Sequence, residues 1–201
     1  MRFEDSAALA ASYGFSAQRI SISMPRVMTY TWDAASASLT WTANDAGIAH
    51  YKSVLAAYKE AGVKVAATMW HWDLPLAIEE AAAAMYSNKS SPSAGSGASS
   101  SSSSASASAS ASASFDASDS FDCHGGSAWL CFGLVRGAFA DYAKLLMDNF
   151  ADDVAWWITL NEPLTIVENG YAGSGPHAPG RCGDRDACFA GDDLTEPCKI
   201  E

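Results

Sequence analysis

The sequence predicts an α/β fold built around a parallel sheet, and three observations predict it. Segments with helical periodicity alternate with short, β-rich apolar segments. Those β-rich segments read as nearly continuous apolar runs, as expected of strands covered on both faces. Polar and aromatic residues cluster just after them, where parallel α/β folds place their ligands.

The elements run as follows. Phe3 to Ser12 reads as a helix ending near Gly14. Arg19-Ile20-Ser21-Ile22-Ser23 is a short alternating strand that Pro25 terminates. Residues 29–44 are rich in Thr, Ser and Ala and read as a loop. Asp45 to Ala61 is an amphipathic helix with Ile48, Tyr51, Leu55 and Tyr58 on one face, Asn44 or Asp45 as its cap and Gly62 at its end. Val63 to Trp70 is a buried strand closed by His71-Trp72-Asp73-Leu74-Pro75. Residues 87–120 are dominated by Ser, Ala and Gly and bury too little apolar surface to offset chain entropy, so a disordered insertion is expected there. Asn88-Lys89-Ser90 at its edge is a glycosylation triplet of a kind common by chance. Val135, Phe139, Tyr142, Leu146 and Phe150 mark a second amphipathic helix. Val154 to Leu160 is another apolar strand, ending at Asn161-Glu162-Pro163, and residues 172–201 read as a long loop.

Composition narrows the function. The chain has 201 residues, 49% of them hydrophobic, and a formal net charge of -11. An acidic balance argues against nucleic acid or an anionic membrane as partner, because both are bound through excess Lys and Arg. It suits a neutral small-molecule substrate. No apolar run is long enough to span a bilayer, and the first residues, with Glu4 and Asp5, do not read as a signal peptide. No Gly-rich phosphate loop follows any strand, which weakens a nucleotide-binding reading, and no cofactor is indicated. Of the five cysteines, Cys182 and Cys188 are close enough to close a small loop, and a bridge and two free thiols are both open.

Two strand ends could carry chemistry. Glu162 follows an apolar strand, so its carboxyl would enter a mouth lined by Trp156 or Trp157 and Trp72. Desolvation favours the protonated form of a carboxyl, which is what protonating a glycosidic oxygen requires. The alternative is a glutamate that caps the next helix. His71 and Trp72 offer a ring donor and a flat apolar face with one N–H, against the alternative of a core pair. His71 with Asp73 makes a poor metal site, because no third ligand is indicated.

Several ordered segments resemble glycoside hydrolase family 1, the β-glucosidase family. Arg19-Ile20-Ser21-Ile22-Ser23 is similar to its arginine-bearing second strand, and His71-Trp72-Asp73-Leu74-Pro75 to its third-strand motif. Phe139-Ala140-Asp141-Tyr142-Ala143 resembles the following helix, and Trp157-Ile158-Thr159-Leu160-Asn161-Glu162-Pro163 the fourth-strand motif. Gly170-Tyr171, His177 to Cys182 and Thr195-Glu196-Pro197 resemble the segments after it. The resemblance implies a partial (β/α)8 barrel, from about helix one to the loop after strand four, spanning residues 1–201 and interrupted at 87–120. It implies a retaining β-glycosidase acting on a glucoside-type substrate. Glu162 would be the acid/base, Asn161 would bind the sugar 2-hydroxyl, and His71 and Trp72 would bind the sugar. Arg19 would stand beside the nucleophile carboxylate. Cys182 and Cys188 would form a short loop disulfide, favouring an oxidising compartment, whether secretory, vacuolar or extracellular.

The sequence departs from the family pattern in places. Met24 and Pro25 stand where the family usually has Trp and Ser. The sugar-binding glutamine of the first strand and the nucleophile of a Thr-Glu-Asn-Gly motif at the seventh strand are not in these 201 residues. Val167-Glu168-Asn169-Gly170 imitates that motif but lies only six residues after Glu162 and follows no strand of its own. Glu168 is therefore not expected to serve as nucleophile, and the chain by itself is expected to be inactive. A non-catalytic relative that binds sugars or a partner is the competing expectation, weighed against strands two and four as unpaired edges.

Overall fold

The computed structural model describes residues 3–90, 110–112, 123 and 127–171. In chain order it contains α1 (Phe3–Ser12), β1 (Ala17–Ser21), α2 (Met24–Val27), β2 (Met28–Asp33), β3 (Ser38–Ala43), α3 (Asp45–Glu60) and β4 (Lys64–Trp70). These are followed by α4 (Leu76–Ser90), β5 (Ser110–Ser112), α5 (Phe132–Phe150), β6 (Trp156–Leu160) and α6 (Pro163–Ile166). A short 3-10 turn precedes α5, and a π turn, Val167–Tyr171, continues α6.

The helix–strand alternation is realised through a repeated stop signal. Gly14 and Gly62 both have positive φ, 78° and 73°. At the first, Phe15 N donates to Ala10 O and Gly14 N to Ala11 O; at the second, Val63 N donates to Tyr58 O and Gly62 N to Lys59 O. Both are Schellman closures, in which a left-handed residue satisfies the last helical carbonyls and turns the chain into the next strand. Asn44 caps α3 by accepting from Gly47 N at 3.3 Å. Gly47 is needed for another reason: a Cβ there would lie 1.8 Å from Arg26 O.

The parallel sheet has the order β1-β4-β6, with β4 central. Arg19 is level with Ala66, Ser21 with Thr68, Thr68 with Ile158, and Trp70 with Leu160. Strand alternation puts Arg19, Ser21, Thr68, Trp70 and Leu160 on one face. The other face, with Ile20, Val65, Ala67, Met69 and Trp157, joins the helical residues Leu55, Tyr58, Tyr142, Leu146 and Phe150 in one core. The expectation of strands covered on both faces therefore holds for β4, whose last four residues are buried, but not for β1 and β6, which show exposed positions. Each is an edge among the described strands, so one side has no neighbour to bury it.

Two expectations are corrected. Residues 29–44, read as a loop, contain most of the antiparallel hairpin β2–β3, in register from Met28↔Ala43 to Asp33↔Ser38. Alternating Thr and aromatic residues fit a pleated surface with one face on the core: Tyr30 is buried and donates to Ala138 O at 3.2 Å, and Trp41 Nε1 donates to Asp141 at 2.9 Å. The stretch 87–120 is not without structure throughout. Helix α4 runs on to Ser90, and Ser110–Ser112 pairs antiparallel with β3. Alanine-rich sequence propagates a helix once one is started, and strand pairing through backbone groups asks little of the side chains. The rest of that stretch lies outside the described residues.

A disulfide joins Cys123 to Cys131, and both residues are buried. It closes the entry to α5, where Glu79 of α4 also accepts from Ser127 Oγ and Ala128 N, both at 3.0 Å. The expected pair Cys182 and Cys188 lies outside the described residues.

Candidate active site

The ends of β1, β4 and β6 converge at one mouth. Arg19, on β1, donates from Nε to Thr68 Oγ1 at 2.8 Å and from Nη2 to Asn161 Oδ1. Thr68 and Asn161 are both buried. Asn161 is held on its backbone as well: its N–H donates to Trp70 O at 2.9 Å, and its carbonyl accepts from Trp72 Nε1 at 2.9 Å. With Oδ1 occupied by Arg19, the Asn161 side chain keeps its amide N–H groups to offer as donors. The Trp72 indole N–H, expected as a sugar donor, is engaged within the protein, so Trp72 contributes its ring. The His71 ring stands edge-on to that of Trp72, centroids 5.3 Å apart, and its Nδ1 lies 2.7 Å from Ser21 Oγ.

Glu162 is exposed and occupies the position before α6 with φ 42° and ψ 62°. For a residue with a Cβ, this left-handed backbone costs about 1–2 kcal/mol, and such strain gathers at functional sites. The alternative reading of Glu162 as a helix cap is half met. It sits at the capping position, but its side chain makes no capping hydrogen bond. The apolar enclosure expected from Trp156 or Trp157 is not made. Trp156 is 52% exposed, with Lys64 Nζ 5.8 Å from its ring centroid, while Trp157 faces the core. The apolar wall at this end comes from other residues: a cavity of about 310 Å³ is lined by Trp70, Trp129, Leu160, Pro163 and Ile166 among others.

The mouth is fastened from below. Ser23 N donates to Tyr51 Oη at 2.9 Å, and the Tyr142 hydroxyl lies 2.6 Å from Ile22 O and 2.7 Å from Met69 O. Burial holds the Asp73 carboxyl above its ordinary range, although Ser23 and nearby backbone donors pull the other way. Glu168 lies in the π turn after α6, not at a strand end. Among the described residues no group of three or more His, Cys, Asp or Glu is arranged to hold a metal.

Sequence reasoning singled out Arg19, which lies within β1, and His71, Trp72, Asn161 and Glu162, which follow β4 and β6 directly. It missed Ser21 and Thr68. Their signal was present: Ser21 is two residues from Arg19 on the same strand face, and Thr68 is the one polar side chain in the apolar run Val65 to Trp70.

The family profile of Glycosyl hydrolase family 1 matches residues 1–91 and 120–194. The chain belongs to that family. The gap in the match falls inside the Ser/Ala-rich stretch. Beta-glucosidase 13 of Arabidopsis thaliana is 29% identical over 197 residues, covering 97% of this chain and 29% of that protein. Beta-glucosidase 4 of Oryza sativa subsp. japonica is 29% identical over 189 residues, with 94% and 28% covered. The solved rice Os3BGlu6 β-glucosidase matches with a TM-score of 0.57 at 30% identity, over 90% of this chain and 27% of that one. The chain thus spans under a third of the length of these relatives. The solved relatives are (β/α)8 barrels, and the α/β fold with its partial parallel sheet is consistent with part of one.

Proposed function

We propose that this chain carries the acid/base half of a retaining β-glycosidase that cleaves β-glucoside-type O-glycosides. The observation that carries the reading is the pair Asn161-Glu162 at the end of β6. Asn161 is pinned by Arg19 and Trp72 with its amide donors spared, and Glu162 follows in a left-handed backbone that points to a site under constraint. Glu162 would protonate the glycosidic oxygen as the bond to the anomeric carbon breaks, while a second carboxylate, its carboxyl about 5–5.5 Å from that of Glu162, attacks that carbon. Glu162, now ionised, would take a proton from the water that releases the sugar. Asn161 would donate to the 2-hydroxyl, a bond that tightens as positive charge develops in the ring. His71 and the face of Trp72 would hold the sugar, and Arg19 would stand beside the second carboxylate and favour its ionised form.

The second carboxylate is not assigned within these 201 residues, and Glu168, in its helical turn, is not offered for the role. The purified chain is therefore expected not to hydrolyse an aryl β-glucoside. Turnover that disappears in Glu162→Gln would overturn this part of the reading. In a longer product carrying a strand-end Thr-Glu-Asn-Gly carboxylate, Glu162→Gln should slow cleavage of an alkyl β-glucoside by about 10²–10⁴-fold. The first step with a dinitrophenyl glucoside should change little, because that leaving group departs without a proton. Equal loss on both substrates would rule out the acid role.

A further inference from the structure

We propose that Ser21 is a positioning residue that sets the tautomer and orientation of His71, so that the imidazole presents Nε2–H as a donor. That this donor meets a sugar hydroxyl rests on the glycosidase reading above; the pairing itself does not. Ser21 Oγ lies 2.7 Å from Nδ1 of His71, across two strands and 50 residues of sequence. The serine is placed by sheet pairing, level with Thr68 on β4, so its hydroxyl stands on the face that carries Arg19 and Thr68. The other restraint on the ring is Trp72, edge-on at 5.3 Å and itself tied to Asn161 O. Trp72 holds a backbone φ of 76°, so the chain turns sharply at the residue after His71.

A hydroxyl can donate or accept, and neutral imidazole has one nitrogen of each kind. Ser21 Oγ makes no second hydrogen bond among the described residues, so were Nδ1–H to donate, the serine proton would be left to solvent. With Ser21 donating to Nδ1, the bond satisfies both groups and puts the ring proton on Nε2. The hydrogen bond at one nitrogen thereby decides what the other offers. Ser21 does for His71 what Arg19 does for Asn161: it occupies the acceptor and leaves the donor for a ligand.

The test is a long-range ¹H–¹⁵N correlation spectrum of the chain labelled at its four histidines, with His71 identified by the signals lost in His71→Gln. At a pH where the ring is neutral, His71 should appear as the single Nε2–H tautomer. Ser21→Ala should replace it with a mixture of both tautomers, and Ser21→Thr, which keeps the hydroxyl, should restore the single form. A wild-type His71 that is mixed, or protonated at Nδ1, would overturn the proposal, whether or not the alanine variant folds. So would an alanine variant with an unchanged tautomer. No glycoside enters this measurement, so its failure is separable from failure of the glycosidase reading, which is judged on turnover.

Discussion

Replacing Tyr142 by Phe tests the hydroxyl that fastens the site from behind. Tyr142 is fully buried in the core on the helix side of the sheet. Its ring packs against Phe139 with centroids 6.3 Å apart, and Phe retains that contact. The change therefore removes one hydroxyl and nothing else of size. That hydroxyl meets two carbonyls, Ile22 O just after β1 and Met69 O in β4, so it ties the strand ends that carry Ser21 and His71. A neutral hydrogen bond contributes about 1 kcal/mol net, and a buried polar group left without its partner costs about 1–3 kcal/mol. Two carbonyls share one proton here, so a loss of about 2 kcal/mol is expected. For a chain of this size each kcal/mol shifts the melting midpoint by about 2–4 °C, which predicts a fall of about 4–8 °C. Urea unfolding followed by circular dichroism should show a lower midpoint at unchanged m. Amide exchange should quicken at residues 22–23 and 69–71. A midpoint within about a degree of wild type, set against that few-degree expectation, would mean that other donors satisfy the carbonyls and that the clamp contributes nothing.

Two further outcomes follow from the same geometry. Gly47→Ala lies in α3, where alanine is ordinarily the better helix former by about 1 kcal/mol. Its Cβ would lie 1.8 Å from the Arg26 carbonyl oxygen, a backbone atom that cannot swing aside. The sign should reverse, to a destabilisation of about 3 kcal/mol, and a variant that melts at or above wild type would refute the close approach. Asp73→Asn should change how stability depends on pH. Burial raises the folded-state pKa of Asp73 above its ordinary 3.8. The folded protein then holds the proton more tightly than the unfolded chain, and stability falls as pH rises from 3.8 through the folded-state value. Asparagine carries no such titration, so the variant should gain on wild type across that rise; a difference that stays flat with pH would show the carboxyl is not held up by burial.

The long, periodic elements were legible because their signals are local. Helix α3 follows from Ile48, Tyr51, Leu55 and Tyr58 at helical spacing with Asn44 before and Gly62 after. β4 follows from an apolar run too short for a helix. The hairpin β2–β3 was missed because composition was weighed above alternation: Thr29-Tyr30-Thr31-Trp32 and Leu39-Thr40-Trp41-Thr42 carry the two-residue period, but Thr, Ser and Ala around them look like loop. Helix α4, with a run of four alanines at its centre and a polar end, has little amphipathic contrast to announce it. Its register is decided by Ile78, Ala81 and Ala82 meeting the core.

At the site, residue identity and chain order were enough to name Arg19, His71, Trp72, Asn161 and Glu162, because each sits in or just after a strand in a motif read within a few residues. What each side chain does with its hydrogen-bonding groups was not readable at that range. Arg19 meets Asn161 across 142 residues, and Ser21 meets His71 across 50. Those partnerships exist only once β1, β4 and β6 lie side by side in one register. The sequence alone determined the family, the strongly periodic elements and the acid/base candidate. Tertiary structure decided that the Trp72 N–H is taken, that the Asn161 amide is spared, that Glu162 bends left-handed and that Ser21 backs His71. Hydrogen bonds are directional and short, so their partners are chosen by strand register rather than by nearness along the chain.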